Sequence, residues 1–123
     1  MNNHITLWLY DETMSVIPIN DQVLEEVGRI FGSLGDVSRL KLLRALLEAH
    51  EPLSQGALAD LTGLSQANAS KHLAFLVQVG LVTREPRGNL VLFLPVSPFV
   101  DSVCALVCSH VKDRIQKAYS SLS

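Results

Sequence analysis

The run Gly63-Leu64-Ser65-Gln66-Ala67-Asn68-Ala69-Ser70-Lys71-His72-Leu73 restricts the fold of this chain more than any other stretch, because it joins a tight corner to a short helix with two unlike faces. Gly63 can take the positive φ that a sharp turn between helices demands, and Ser65 is a natural N-cap for the helix after it. With Ala69 placed inward at helical spacing, Leu73 and Leu76 fall within about 40° of it, while Ala67, Asn68, Lys71, Ala74, Phe75 and Gln78 point away. The outward face therefore begins with slim side chains and one cation. A face of that kind can approach base edges in a DNA major groove without clashing.

The rest of the chain bounds what this element can belong to. With 123 residues and 48% hydrophobic content there is material for one domain with a real core, and too little for two. The mean hydropathy of +0.28 is high for a small monomer, so a homodimer that buries apolar surface is expected. The formal net charge of -2 gives no general support to nucleic-acid binding. Its distribution does: residues 1–36 carry Asp11, Glu12, Asp21, Glu25, Glu26 and Asp36 against Arg29 alone, whereas Arg39, Lys41, Arg44, Lys71, Arg84 and Arg87 outnumber the acids of residues 37–90.

No secretory signal is expected, since Ile5 to Tyr10 is a short apolar run with no basic lead-in and Asp11-Glu12 directly after it. No run approaches the roughly 20 apolar residues of a membrane-spanning helix, and a cytoplasmic location is expected. Two cysteines, Cys104 and Cys108, are too few for a disulfide framework. Catalysis is not expected either: no Ser/His/Asp set, nucleotide loop or carboxylate pair stands out.

Along the chain, residues 1–20 read as an N-terminal arm, whose Ile5-Tyr10 segment is either a short strand or a packed extension, and residues 21–123 read as a single domain. Asp21 is expected to cap a helix through about Leu34, with Leu24, Val27, Ile30, Phe31 and Leu34 as its apolar stripe. Gly35-Asp36 breaks the chain. A second helix spans about Val37 to Ala49 with Leu40, Leu43 and Leu47 inward. Ser54 caps a third from Gly56 to Thr62 with Ala57, Leu58 and Leu61 inward. The helix after Gly63 runs to about Val79 and ends at Gly80 in the manner of a C-cap glycine. Leu81 to Arg84 and Leu90 to Leu94 are β-type segments around a Glu85-Pro86-Arg87-Gly88-Asn89 turn. A last helix from about Pro98 to Ser121 places Val100, Cys104, Val107, Val111, Ile115, Ala118 and Leu122 near a heptad seam, a candidate dimer contact.

That order of elements, together with three segments, resembles the ArsR/SmtB family of bacterial repressors over roughly Leu24 to Leu122. Leu61 to Leu73 looks like the family's LGLSQSxVSxHL recognition helix. Leu34-Gly35-Asp36-Val37-Ser38-Arg39-Leu40-Lys41-Leu42-Leu43 is similar to its LADPTRLxIL, with Gly for Ala and Val-Ser for Pro-Thr. Gly80-Leu81-Val82, with Gly88 and Val91, resembles the wing. The resemblance implies a mostly α chain with a small β-hairpin (α+β), folded as a winged helix-turn-helix with N- and C-terminal dimerisation helices. It implies a homodimeric, sequence-specific transcriptional repressor that binds an imperfect palindromic operator in double-stranded DNA and is released by an inducer. A winged-helix protein-interaction module without DNA binding is the competing reading.

For the DNA interface, Ala67, Asn68 and Lys71 are expected to face the groove, and Gln66 and Ser70 to hold phosphates from the flanks. His72 lies nearer the inward side and is expected to be hydrogen-bonded within the core. Arg84 and Arg87 stand at the wing. Arg39 reads equally as a phosphate contact or as a partner of Asp36.

The sensing half departs from the family. Where the resemblance implies a CVCDL stretch with metal-binding thiols, this chain has Ser54-Gln55-Gly56-Ala57-Leu58, and from Asp101 the later ligand positions of a last-helix site fall on Val103 and Arg114. Cys104 and Cys108 remain, one turn apart on one helix face with Asp101 a turn below. They could begin a metal or metalloid site, undergo reversible thiol modification, or simply pack as small hydrophobes. His4 and His110 have no ligand-spaced neighbour.

Overall fold

The computed structural model describes residues 19–122. Residues 1–18 of the arm, with His4 and Ile5-Tyr10, lie outside them. The described residues form, in order, α1 (Asp21–Leu34), α2 (Val37–Ala49), β1 (Leu53–Ser54), α3 (Gln55–Thr62), α4 (Gln66–Gln78), β2 (Val82–Arg87), β3 (Leu90–Pro95) and α5 (Phe99–Leu122). The chain is therefore mostly helical with a small antiparallel sheet, as its pattern implies.

Short polar side chains start the helices. Asp36 Oδ1 accepts the Arg39 backbone N–H at 3.1 Å, Ser54 Oγ that of Ala57 at 3.2 Å and Ser65 Oγ that of Asn68 at 3.1 Å. Each satisfies a donor that the first helical turn leaves without an intrahelical partner. For α1 the cap is Asn20, whose Oδ1 accepts from Val23 N at 2.9 Å, so Asp21 is the first helical residue and not the cap. At the end of α4, Gly80 has φ 84°, its N–H bonds to Val77 O and that of Leu81 bonds to Leu76 O. This paired bonding is a Schellman motif, and it turns the chain straight into the wing.

Leu42, Leu43, Leu46, Leu58, Leu73, Leu76, Leu81, Val82, Phe93 and Val100 form one core in which α2, α3 and α4 meet the sheet. The inward side of α2 is rotated from the expected one: Leu42, Leu43 and Leu46 are buried, whereas Leu40 is 39% exposed and Leu47 half-buried. In α3, Ala59 is buried beside Leu58 and Leu61 is 65% exposed. Both shifts come from the elements each helix packs on, which the chain's own periodicity does not encode.

The sheet order is β1-β3-β2. β1 pairs Leu53 with Phe93 and Ser54 with Leu92, a third strand that two residues cannot announce by alternation. β2 runs through Glu85-Pro86-Arg87, so the turn is only Gly88-Asn89, with Gly88 at φ 59°. Pro86 is tolerated inside a strand because β2 is an edge, where its missing N–H removes no ladder bond.

Among the described residues, two faces have no partner. On α1, Leu24, Val27 and Phe31 are exposed, the last at 67%, and only Ser33 is buried. On α5, Val100 is buried and Cys104 half-buried, but Val107, Val111, Ile115 and Leu122 face solvent. Among the described residues no helix is long and apolar enough to cross a membrane.

The rotation of α2 is directly measurable. Leu43→Ala should lower the unfolding free energy by roughly 2–5 kcal/mol in urea titrations, and Leu40→Ala by well under half as much.

Candidate nucleic-acid interface

The outward face of α4 depends on how its inward face is seated. Ala69, Leu73 and Leu76 are buried at 0%, 1% and 0% exposure, as the phasing from Ala69 requires. A residue as small as alanine at the first inward position lets the start of α4 lie close to α3. The corner between them is fixed by Gly63 at φ 76°, whose N–H bonds to Ala59 O at 2.9 Å.

With that side fixed, Gln66, Ala67, Asn68, Ser70 and Lys71 are exposed together in the first two turns of α4. These are the residues expected to read or hold DNA. Gln66 is further restrained by Gln55 at the start of α3, whose Nε2 donates to Gln66 O at 3.3 Å and to Gln66 Oε1 at 3.2 Å. No sequence motif marks Gln55 for that task; only the close approach of α3 and α4 reveals it.

Farther along α4 the surroundings change. Phe75 does not point freely outward: it is half-buried, with the Arg39 guanidinium carbon 4.6 Å from its ring centroid. His72 is also half-buried, and its Nδ1 lies 3.5 Å from Arg39 Nη1, so it sits against an arginine at the edge of the body and outside the apolar core. Arg39, Lys71, His72, Ala74, Phe75 and Gln78 line a shallow hollow of about 270 Å³. Two cations and an imidazole at one hollow suit an anionic group such as phosphate.

Arg39 meets Asp36 through its backbone, while its side chain serves other elements: Nε donates to Ser33 O at 2.7 Å and Nη2 to Gly32 O at 3.2 Å. The Arg39 N–H bond holds the Asp36 carboxyl below its ordinary value, opposed by desolvation and aided by the Arg39 and His72 charges.

At the wing, Arg84 and Arg87 are both exposed. The Arg84 guanidinium lies 6.0 Å over Phe93, its cross-strand partner, and Arg87 Nη2 is 3.1 Å from Glu85 Oε2 at the hairpin tip. The Arg87 charge is thus half-compensated before any partner arrives.

Cys104 and Cys108 line an apolar groove of about 970 Å³ between α2, the end of β3 and α5. Burial, then the neighbouring Cys108 and Asp101, push the Cys104 thiol up from its ordinary value. Asp101 accepts the Ser97 hydroxyl at 2.7 Å. Among the described residues no group of three His, Cys, Asp or Glu side chains could hold a metal ion.

Residues 36–84 match the family model described as "Bacterial regulatory protein, arsR family". That match covers the helix-turn-helix and the start of the wing. The homodimeric winged helix-turn-helix domain of Mb0332 from Mycobacterium bovis, described as a possible ArsR-family transcriptional regulator, is similar with a TM-score of 0.72 and 25% identity, covering 83% of this chain and 95% of that one. HlyU from Vibrio cholerae is similar at TM-score 0.62 and 27% identity, over 72% of this chain and 94% of that one. The antimony-specific transcriptional repressor AntR shares the fold at TM-score 0.68 and 24% identity, over 88% of this chain and 96% of that one. Family and fold are those of DNA-binding transcriptional regulators, not enzymes.

The Asp36 cap carries a pH signature. A carboxyl whose folded pKa lies below 3.8 stabilises the fold above that value and loses the effect as pH falls through the folded value. Asp36→Asn keeps a capping group without the charge. The wild-type urea midpoint should exceed that of the variant at pH 7, and the gap should close below pH 3.8.

Proposed function

We propose that this chain is a homodimeric, cytoplasmic transcriptional repressor, residues 21–123 acting as one DNA-binding and dimerisation domain. In it the first two turns of α4 enter the major groove of an imperfect palindrome. The carrying observation is the exposed set Gln66, Ala67, Asn68, Ser70 and Lys71 on a helix whose other side is fully buried. Lys71 donates to guanine O6 or N7, Asn68 reaches a base or phosphate, and Ala67 fits a thymine methyl. Gln66, tethered to Gln55, and Ser70 hold the backbone. Arg84 and Arg87 follow the DNA from the wing. Arg39 lines the hollow next to Lys71, but its fork is already spent on α1, so it acts less as a phosphate ligand than as support.

Dimerisation is supported by the open stripes on α1 and α5, which a second copy would cover, and by the homodimeric state stated for Mb0332. Two probes then meet successive major grooves about one helical turn apart. The repressor reading draws on AntR, which is described as a repressor.

For release from DNA, the groove face of α5 supports thiol chemistry better than metal binding, with Cys108 as the reacting thiol. Cys104 is half-buried and its thiol is kept protonated, which is the unreactive form, whereas Cys108 is exposed. Asp101 lies near the pair, but among the described residues no group of three His, Cys, Asp or Glu side chains could hold a metal ion.

In gel-shift titrations against DNA from upstream of its own gene at fixed salt, Lys71→Ala should weaken binding by about 1–3 kcal/mol, while Lys117→Ala, on α5, should leave it near wild type. Equal losses would remove the α4 assignment, and no salt-dependent binding at all would leave the protein-interaction module. Ile115→Glu should halve the sedimenting mass. Iodoacetamide labelling with detection by mass spectrometry should modify Cys108 well before Cys104.

A further inference from the structure

Among the described residues, α1 is held to the body at one end only. Its N-terminal two-thirds exposes Leu24 and Val27, and its attachment is confined to the last turns, where Ser33 is buried and Ile30 and Leu34 pack against the core. Into that junction projects Arg39, from the first turn of α2. Its guanidinium donates to two carbonyls at the C-terminus of α1, Ser33 O at 2.7 Å and Gly32 O at 3.2 Å. Those carbonyls belong to the last turn, where helical bonding leaves acceptors over and the helix dipole favours a cation. The remaining Nη1 meets His72 at 3.5 Å, and the guanidinium plane covers Phe75 at 4.6 Å. Both residues belong to α4. One side chain on α2 thus touches the helix with the open dimer stripe and the helix with the DNA-reading face.

We propose that Arg39 is a positioning residue that fixes the angle between α1 and α4, so that the geometry set where two copies meet is transmitted to the DNA-reading helix. The inference rests on the dimeric DNA-binding reading above. A lysine cannot replace it: an ammonium has neither the planar fork that spans two carbonyls nor the flat face that stacks on a ring. Nor would a merely stabilising arginine need contacts to both helices at once. Asp36 prepares the site from the other side, because its carboxylate fixes the Arg39 backbone while leaving the guanidinium to α1 and α4.

The test uses the full chain with Cys104→Ser and Cys108→Ser, spin-labelled at Gln22→Cys on α1 and Ser70→Cys on α4. Dilution into excess unlabelled chain makes the measured distance one within a single protomer. With Arg39 present the distance distribution should be narrow. With Arg39→Lys it should broaden or shift at unchanged helix content, and Phe75→Leu, which removes the ring contact on the α4 side and leaves the α1 carbonyls bonded, should broaden it too. Arg44→Ala, an exposed α2 arginine paired to Glu48, should leave it unchanged. In parallel, without labels, Arg39→Lys should lower affinity for a two-half-site duplex by about tenfold relative to a single half-site, within the usual range of coupling between sites. An unaltered distribution in both Arg39→Lys and Phe75→Leu, or equal broadening in Arg44→Ala, overturns the proposal. If the wild-type chain binds neither duplex, the DNA-binding reading fails while the distance measurement still decides the clamp.

Discussion

The seat of α4 on α2 and α3 is the contact on which the rest of the molecule depends. Ala69, Leu73 and Leu76 are buried along one side of α4, and Leu73 and Leu76 join Leu43, Leu46 and Leu58 in one core. Burying each leucine contributes roughly 1.5–3 kcal/mol, far more than any exposed ion pair on this chain. The rotation of α4 about its axis is therefore set by apolar packing, and the polar residues that face solvent have no say in it. On the proposed reading, that separation allows the outward face of α4 to hold whichever side chains a DNA sequence requires without disturbing the fold.

Local chemistry wrote some of this plainly into the sequence. The Gly63 corner, the Ser65 cap, the Val37–Ala49 helix and the Gly80 stop all depend on residues within a few positions of one another, and each stands where its local signal puts it. What was not legible depends on distant partners. Leu40 and Leu47 satisfy the period of α2 as well as Leu42 and Leu46 do, and only the approach of α3, α4 and β3 decides which pair is covered. Pro86 looks like a turn residue until β2 is known to be an edge. β1 exists only because β3 runs past Leu53 and Ser54.

Arg39 is the sharpest example of the same limit. In sequence it stands three residues after an aspartate, and it reads equally as a partner of Asp36 or as a phosphate contact. The carboxylate instead takes the backbone N–H, which leaves the guanidinium for α1 and α4. His72 and Phe75 are both half-buried at the boundary of the body, with the Arg39 guanidinium against each. The chain marks Asp36 as a break between helices; it marks neither the bond of its carboxylate to the Arg39 N–H nor the direction of the Arg39 side chain.

Electrostatics explains why orientation matters so much in a chain of this composition. On the proposed reading, with a formal net charge of -2, Lys71 as the cation on the exposed start of α4, and Arg84 and Glu85-paired Arg87 at the wing, one copy neutralises few phosphates, and counterion release supplies little affinity per copy. On the dimeric reading, useful binding then comes from joining two such probes, where the second contact is made at high effective concentration only if its spacing fits the DNA. A loosely hinged α1 would spread that spacing and forfeit the gain. The weaker each probe is electrostatically, the more the protein depends on rigid placement of α4 relative to the dimer seam, and the Arg39 guanidinium bonds to α1 while lying against α4.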